Sequence, residues 1–340
     1  MSHTITLEPF GIDFPCHEDD TILEAAFKAG LSLRYGCKHG GCGGCKVQIS
    51  EGEVDYNDHA TAISEEEIDA GVALLCCAYA EEDIVITLDD DYSEEELTPE
   101  FPLRVYPAKI AELRRVTHDT VHLILSGEEL AEYRFNPGQY LEIKVPGSED
   151  TWRCFSMANT PSAEGITELV VKIIPGGAFS SYLDTEAKPG DSVEIRGPYG
   201  QFQISETEAE IIMIAGGSGM APIMAMLKQL VAEKSTRQIS FYFGARAVKD
   251  LYFIDEINAL GEQLDNFRFI PALSAPDPDD DWQGEHGYIT DVLARNTDSL
   301  RGAEGYLCGP PPMIDAAIDV LRDKGMFNAR IRFDKFVQNS

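Results

Sequence analysis

The sequence predicts a multi-domain chain of 340 residues: a small α+β module, an antiparallel β barrel or sandwich, and an α/β domain with parallel strands. Three observations predict it. A cysteine–glycine loop sits among short strand-like runs near the N-terminus; turn signals punctuate residues 103–204 at short intervals; and from Ala209 the texture becomes strand, glycine turn, helix and strand again. The length gives a prior of two to three domains, and 44% hydrophobic residues suffice for a core in each.

In the first module, Thr4 to Leu7 reads as a strand, and a helix opens at Asp20-Thr21 with Ile22, Ala25, Ala26 and Ala29 on one face. Cys37, Cys42 and Cys45 then follow as C-x4-C-x2-C, with a further cysteine about 30 residues on, the plant-type [2Fe–2S] spacing. Thiolates are soft ligands that carry the charge of such a cluster. Gly40, Gly41, Gly43 and Gly44 permit the tight turns that a loop around it needs. Zinc is the alternative, but structural zinc usually shows two paired C-x2-4-C or C/H units, and one such pair is present. Cys76 is taken as the fourth ligand, with Cys77 an alternative that spacing leaves open; the segment reads as a strand, whose neighbours face opposite ways. Cys16 and Cys154 default to small buried residues.

Residues 91–102 (DYSEEELTPEFP) read as a polar linker. The expected division is 1–95 for the iron–sulfur module, 96–103 for the linker, 104–205 for the β domain and 206–340 for the α/β domain. In the β domain, turns are expected at Asn136-Pro137-Gly138, Pro175-Gly176-Gly177 and Pro189-Gly190. In the last domain, Glu210 to Ala215 reads as a buried strand and Ile223 to Glu233 as a helix, joined by Gly216-Gly217-Ser218-Gly219-Met220-Ala221-Pro222. A glycine turn there lets the backbone approach a pyrophosphate at a helix N-terminus. Pro222 stands where the last glycine of G-x-G-x-x-G would be, and suits the first helical turn. The three prolines of Cys308-Gly309-Pro310-Pro311-Pro312-Met313 are expected to stiffen a loop at a strand's C-terminal end, where α/β sheets bind ligands.

Charge narrows the functions. The net charge is −32, and residues 1–100 alone carry 24 acidic against 4 basic side chains. Such a chain repels phosphate backbones and anionic lipid, which argues against nucleic acid and membranes as partners. No apolar run approaches a membrane span, and the N-terminus lacks a secretion signal, so a cytoplasmic location is expected. The acidic first module is either a solvated surface or a docking face for a positively charged partner.

Taken in order, the motifs resemble the reductase component of a bacterial multicomponent oxygenase: a plant-type ferredoxin domain of β-grasp fold fused to a ferredoxin–NADP reductase-like unit, a flavin β-barrel followed by a Rossmann-like nucleotide domain. Arg153-Cys154-Phe155-Ser156 is similar to R-x-Y-S, with Phe155 for tyrosine. Gly177 to Ser180 matches G-x-x-S, Gly197 to Gly200 matches G-P-x-G, and Gly216 to Pro222 matches G-G-[ST]-G-x-A-P. Cys308 to Met313 matches C-G-P-P-P-M, and Phe333 to Phe336 resembles the terminal acidic-basic-Phe motif. Within the family the texture is nearest to reductases of di-iron monooxygenases of the phenol hydroxylase type.

The resemblance implies FAD, a [2Fe–2S] cluster and NADH as cofactors. It implies that Arg153 pairs with flavin phosphates, that Ser156 bonds near flavin N5 and that Phe155 lies against the ring system. Gly177 and Ser180 approach the flavin pyrophosphate, and Gly216, Gly217, Gly219 and Pro222 shape the dinucleotide turn. Cys308 sits beside the nicotinamide, with Asp334 and Phe336 closing the other side of the flavin; ordinary C-terminal packing is the alternative for Phe336. The implied activity is NADH:acceptor oxidoreduction. Electrons run from NADH to FAD to the cluster and on to a hydroxylase component docked on the ferredoxin domain, the chain itself acting as a monomer. The alternatives are a reductase serving a Rieske ring-hydroxylating dioxygenase, a flavin-only reductase with zinc in the cysteine loop, and a non-enzymatic iron–sulfur carrier or sensor.

Overall fold

The computed structural model describes residues 2–336 apart from 37, 39, 42, 57–59, 90–91, 95–96, 102 and 150. It divides into two compact units, Met1–Leu103 and Arg104–Ser340.

The first unit contains β1 (Ser2–Glu8), β2 (Ile12–His17), α1 (Ile22–Lys28), β3 (Lys46–Glu51), β4 (Val54–Tyr56), α2 (Glu65–Asp69), β5 (Val72–Leu74), β6 (Ala78–Ala80) and β7 (Ile84–Thr87). One mixed sheet runs β2-β1-β7-β3-β5, with β1 and β7 parallel at its centre, and β4 pairs with β6 beside it. This is the β-grasp arrangement. Alternation builds it: Ile5 and Leu7 of β1, Phe14 and Cys16 of β2, and Ile84 and Ile86 of β7 point inward. Helix α1 starts where the sequence places it. The Thr21 hydroxyl accepts from the Glu24 N–H while the Glu24 carboxylate accepts from the Thr21 N–H, a complete capping box. Ala29, expected on the buried face, instead ends the helix and is exposed, because Gly30 follows in a left-handed conformation. Leu97, within the stretch read as linker, is buried, and its carbonyl accepts from Ser32 N–H at 2.8 Å.

The second unit opens with β8 (Arg104–Thr117), β9 (Thr120–Ser126), β10 (Tyr140–Lys144), β11 (Trp152–Ser156), β12 (Ile166–Lys172), α3 (Ala178–Thr185) and β13 (Ser192–Tyr199). The strand order β11-β10-β13-β8-β9-β12 is antiparallel throughout, and a Met157–Leu169 bridge joins its two ends. The sheet therefore closes as a barrel, filled by Ile110, Leu123, Leu141, Leu169 and Ile195. All three expected turns are present.

The chain continues with β14 (Ile211–Gly216), α4 (Met220–Ala232), β15 (Ile239–Ala245), α5 (Ile254–Gly261), β16 (Phe267–Leu273), β17 (Glu285–His286), α6 (Ile289–Asn296), β18 (Glu304–Gly309), α7 (Pro311–Asp323) and β19 (Ile331–Lys335). They form a parallel sheet in the order β17-β16-β15-β14-β18-β19, with apolar cores on both faces. Two expectations shift. Helix α4 begins at Met220 rather than Ile223, since the 3₁₀ turn Gly217–Gly219 runs straight into it. Pro311 and Pro312 open α7 instead of stiffening a loop, their fixed φ suiting positions whose N–H has no helical partner. Among the described residues no helix is long and apolar enough to cross a membrane.

Candidate functional site

In the first unit, Cys37 and Cys42 lie outside the described residues. Their loop is left-handed at Lys38, Gly40 and Gly43 (φ 58°, 73° and 73°), conformations that glycine adopts without strain. It is pinned at both ends: Gly40 O accepts from Ala62 N–H at 2.7 Å, and Gly43 O from Lys46 N–H at 3.2 Å. Cys45 is buried, and its Sγ accepts from Cys76 N–H at 3.4 Å. Cys76 and Cys77 do not lie in a strand, as expected, but in the turn between β5 and β6, where Cys77 N–H bonds Leu74 O at 2.9 Å. The turn brings both sulfurs within 3.8 Å of each other, with Cys76 8% and Cys77 1% exposed. Among the described residues no three metal-ligating groups come together. Cys45, whose sulfur already holds the Cys76 backbone N–H, and the Cys76-Cys77 pair nonetheless lie beside a left-handed glycine loop. Thiols with backbone N–H donors are the chemistry that fits an iron–sulfur cluster. Cys16 is fully buried, as expected, whereas Cys154 is only half-buried, its Sγ 3.7 Å from Glu142 Oε1.

In the barrel, β11 carries Arg153 and Phe155 on one side and Cys154 and Ser156 on the other. Arg153 donates to Trp152 O at 2.9 Å, and the Phe155 ring rests 5.3 Å from Phe179 at 44°. Ser156 is buried, yet among the described residues its hydroxyl has no hydrogen-bond partner, as a ligand-facing group would be. Ser180 sits in the first turn of α3 and donates to Ile174 O at 3.0 Å, so its own proton is spent on the backbone. A Cβ on Gly177 would come within 2.5 Å of the Ser180 Oγ, so the hydroxyl would have to move, and 3.2 Å from Ile174 O. The free N–H groups of that first turn, behind a bare glycine, fit a flavin pyrophosphate.

The α/β sheet reverses its winding between β14 and β18: the chain builds outward to β17 on one side and to β19 on the other. Ligands of such sheets bind at this switch point, beyond the strand C-termini. Gly216 ends β14 and Gly309 ends β18. A Cβ on Gly219 would lie 2.2 Å from Cys308 O, and one on Gly216 would lie 2.5 Å from Met313 Sδ. Gly217 differs: it is left-handed (φ 55°) with nothing within 4 Å of its would-be Cβ, an open backbone cradle that fits a dinucleotide. Pro222 lies in the first turn of α4, as expected. Cys308 pairs with Asp334 in the sheet, and Phe336 N–H donates to Gly309 O at 2.9 Å while its ring packs on the core containing Cys308. Burial pushes the Cys308 thiol well up, and the Asp334 charge adds to the shift. The sulfur therefore keeps its proton.

The structure thus brings together Gly216, Gly217, Gly219, Cys308, Asp334 and Phe336 at one end of the sheet. Sequence reading passed over Tyr252, whose hydroxyl donates to Gly217 O at 2.7 Å across 35 residues, a contact that no local pattern signals.

A β-grasp module with cysteines beside a glycine loop, a barrel with an open serine and a parallel sheet with a glycine cradle define a flavin- and iron–sulfur-dependent oxidoreductase. Comparison with known proteins agrees. Residues 5–81 match the 2Fe-2S iron-sulfur cluster binding domain, 107–204 the oxidoreductase FAD-binding domain and 213–319 the oxidoreductase NAD-binding domain. The chain is 40% identical to the reductase component of propane 2-monooxygenase of Rhodococcus jostii (strain RHA1), over 98% of this chain and 91% of that one. It is 37% identical to the reductase component of phenol 2-monooxygenase of Pseudomonas sp. (strain CF600), over 99% and 95%. The crystal structure of the Amycolatopsis cytochrome P450 reductase GcoB superposes with a TM-score of 0.85 at 32% identity, covering 98% of both chains. The chain belongs to the family of reductase components of multicomponent monooxygenases. It is an oxidoreductase of NADH, FAD and a [2Fe–2S] cluster.

Proposed function

We propose that the chain supplies electrons from NADH to the hydroxylase component of a di-iron monooxygenase acting on a hydrocarbon or a phenol. Residues 1–95 serve as the ferredoxin module, 96–103 as the connection, 104–205 as the flavin module and 206–340 as the nucleotide module. The observation that carries the reading is the switch point, where Gly219 and Cys308 approach so closely that no side chain fits between them while Gly217 stays open. A flavin and a [2Fe–2S] cluster held by these residues would supply hydride acceptance from NADH and one-electron transfer.

The chain's own residues bind and orient. Cys37, Cys42, Cys45 and Cys76 hold the cluster; the N–H already on Cys45 Sγ and the greater exposure of Cys76 favour Cys76 over Cys77. Arg153, Phe155, Ser156, Gly177 and Ser180 hold the flavin, with Arg153 meeting phosphate charge and Ser156 offering its free hydroxyl. Gly216, Gly217, Gly219 and Pro222 hold the dinucleotide. Cys308 Sγ retains its proton and presents a neutral polarizable surface to the nicotinamide, while Asp334 and Phe336 border the same site. The net charge of −20 on residues 1–100 suits docking of a basic face of the hydroxylase on the ferredoxin module. The chain acts as a cytoplasmic monomer; among the described residues the exposed large apolar side chains are few, as on an ordinary free surface.

Anaerobic titration with NADH, read by visible absorbance and EPR, tests the relay. Uptake of about three electrons, two by flavin and one by the cluster, is the expected result. A preparation that takes up two and shows no iron–sulfur signal after reconstitution would rule it out.

A further inference from the structure

Within the second unit the barrel and the α/β sheet meet along a seam that no sequence motif announces. Strand β12 is buried on both faces: Leu169 and Val171 enter the barrel core, whereas Val170 joins the core built on α4 and β14. Glu168 shares the Val170 side. Its carboxylate accepts from His122 Nε2 of β9 at 3.2 Å and from Lys228 Nζ of α4 at 3.0 Å. Its backbone grips the flavin-motif strand: Glu168 N–H donates to Asn159 Oδ1 at 2.9 Å, and Glu168 O accepts from Ala158 N–H at 2.7 Å. Those residues lie directly beyond Ser156.

The same cluster reaches the dinucleotide turn. The His122 ring stands edge-on to Phe253 at 5.1 Å, and Phe253 stands edge-on to Tyr252 at 5.1 Å. Phe253 adopts a left-handed φ of 58°, strained for an aromatic residue and held by this packing. Tyr252 in turn bonds the Gly217 carbonyl. Glu168 therefore ties the segment just beyond Arg153, Phe155 and Ser156, which its backbone holds at Ala158 and Asn159, to the helix bearing Pro222, which its carboxylate holds at Lys228. Other charge pairs across the seam are looser: Arg114 and Glu256 are 3.8 Å apart and both 52% exposed, a pairing that solvent screens. Burial pushes the Glu168 carboxyl up, but His122 and the Lys228 ammonium outweigh it and hold it below its ordinary value, so it is anionic at neutral pH.

Resting on the reading that this unit passes a hydride from NADH to FAD, we propose that Glu168 is a positioning residue that sets the spacing between the flavin-motif strand and the dinucleotide turn. It touches neither ligand. It governs how fast the hydride leaves C4 of the nicotinamide for N5 of the flavin, a step that breaks one C–H bond and forms one N–H bond. A misplacement of about 1 Å in such a step costs on the order of a hundredfold in rate.

The test is rapid-mixing anaerobic reduction of the FAD-loaded full chain by NADH, in Glu168→Gln, Lys228→Met and Lys228→Arg. The limiting rate of flavin bleaching should fall by about tenfold or more in the first two and recover in the third. The NADH concentration for half-maximal rate should change less than about twofold, and NADH deuterated at C4 should show an undiminished isotope effect. Thermal midpoint and FAD content, measured alongside, separate misplacement from misfolding. An unchanged limiting rate in both variants would overturn the proposal, as would a fall matched by lost FAD or confined to half-saturation. Wild-type flavin that NADH fails to bleach would instead overturn the hydride-transfer reading itself.

Discussion

The cysteine loop at 37–45 and the turn at 216–219 are both rich in glycine, but for different physical reasons. In the loop, Gly40 and Gly43 take φ of 73°, and a Cβ on Gly43 would meet nothing closer than 3.6 Å. The requirement there is conformational. In the turn, Gly219 has an ordinary φ of −61°, yet a Cβ would lie 2.2 Å from the Cys308 carbonyl oxygen and 2.7 Å from Gly309 N. The requirement there is close approach between a helix start and a strand end. A glycine that supplies a dihedral is replaceable at moderate cost, whereas one that admits a neighbouring backbone is not.

The largest expected effect separates the cluster's fourth thiol from the loop's glycines. Cys76→Ser should abolish the iron–sulfur absorbance while NADH still bleaches the flavin, and Cys77→Ser should keep both. The reverse pattern in visible spectra would move the fourth ligand to Cys77. Next in size, Gly219→Ala should slow NADH-driven flavin reduction by about a hundredfold, because β18 and α4 must part, with cluster absorbance untouched. Gly43→Ala should be milder. Forcing an L-residue into a left-handed dihedral costs about 1–2 kcal/mol, read as earlier loss of cluster colour on heating with flavin reduction unchanged. If Gly43→Ala instead erased the cluster, the contrast between the two segments would fail.

Acid provides the smallest and broadest probe, and it bears on the second unit. Glu304 is buried beside Arg237, Ser205 and Tyr306, with the Arg237 nitrogen 2.7 Å from its carboxylate. Burial pushes its carboxyl up, but bonds from Ser205, Arg237 and Tyr306 prevail and hold it below the ordinary 4.5. Glu168 is lowered in the same sense. A carboxyl lowered on folding contributes its full stability above the unfolded value and loses it as pH falls through the folded one. Unfolding followed by flavin release should therefore be flat above about pH 4.5 and steepen below it, and Glu304→Gln should flatten that slope.

Much of the chemistry was legible in the sequence because it is local. Capping at Thr21, the three barrel turns and the place of Pro222 in a first helical turn each depend on a few consecutive residues. The Cys76-Cys77 strand reading erred because two adjacent buried cysteines fit a strand or a tight turn equally well. Only the bond from Cys77 N–H to Leu74 O decides for the turn. Likewise the Pro-Pro-Pro segment could stiffen a loop or open a helix, and the apolar face of Ile314, Ala317 and Leu321 against the sheet selects the helix.

The sequence by itself determined the three-part order, the thiol spacing and the glycine turns, since spacing and backbone freedom are written residue by residue. Tertiary structure alone decided which elements touch. The switch point between β14 and β18, the closure of the barrel through Met157 and Leu169, and the grip of Glu168 on two separate segments all join residues far apart in the chain. Such contacts depend on burial and geometry summed over the whole fold, and no local pattern encodes them.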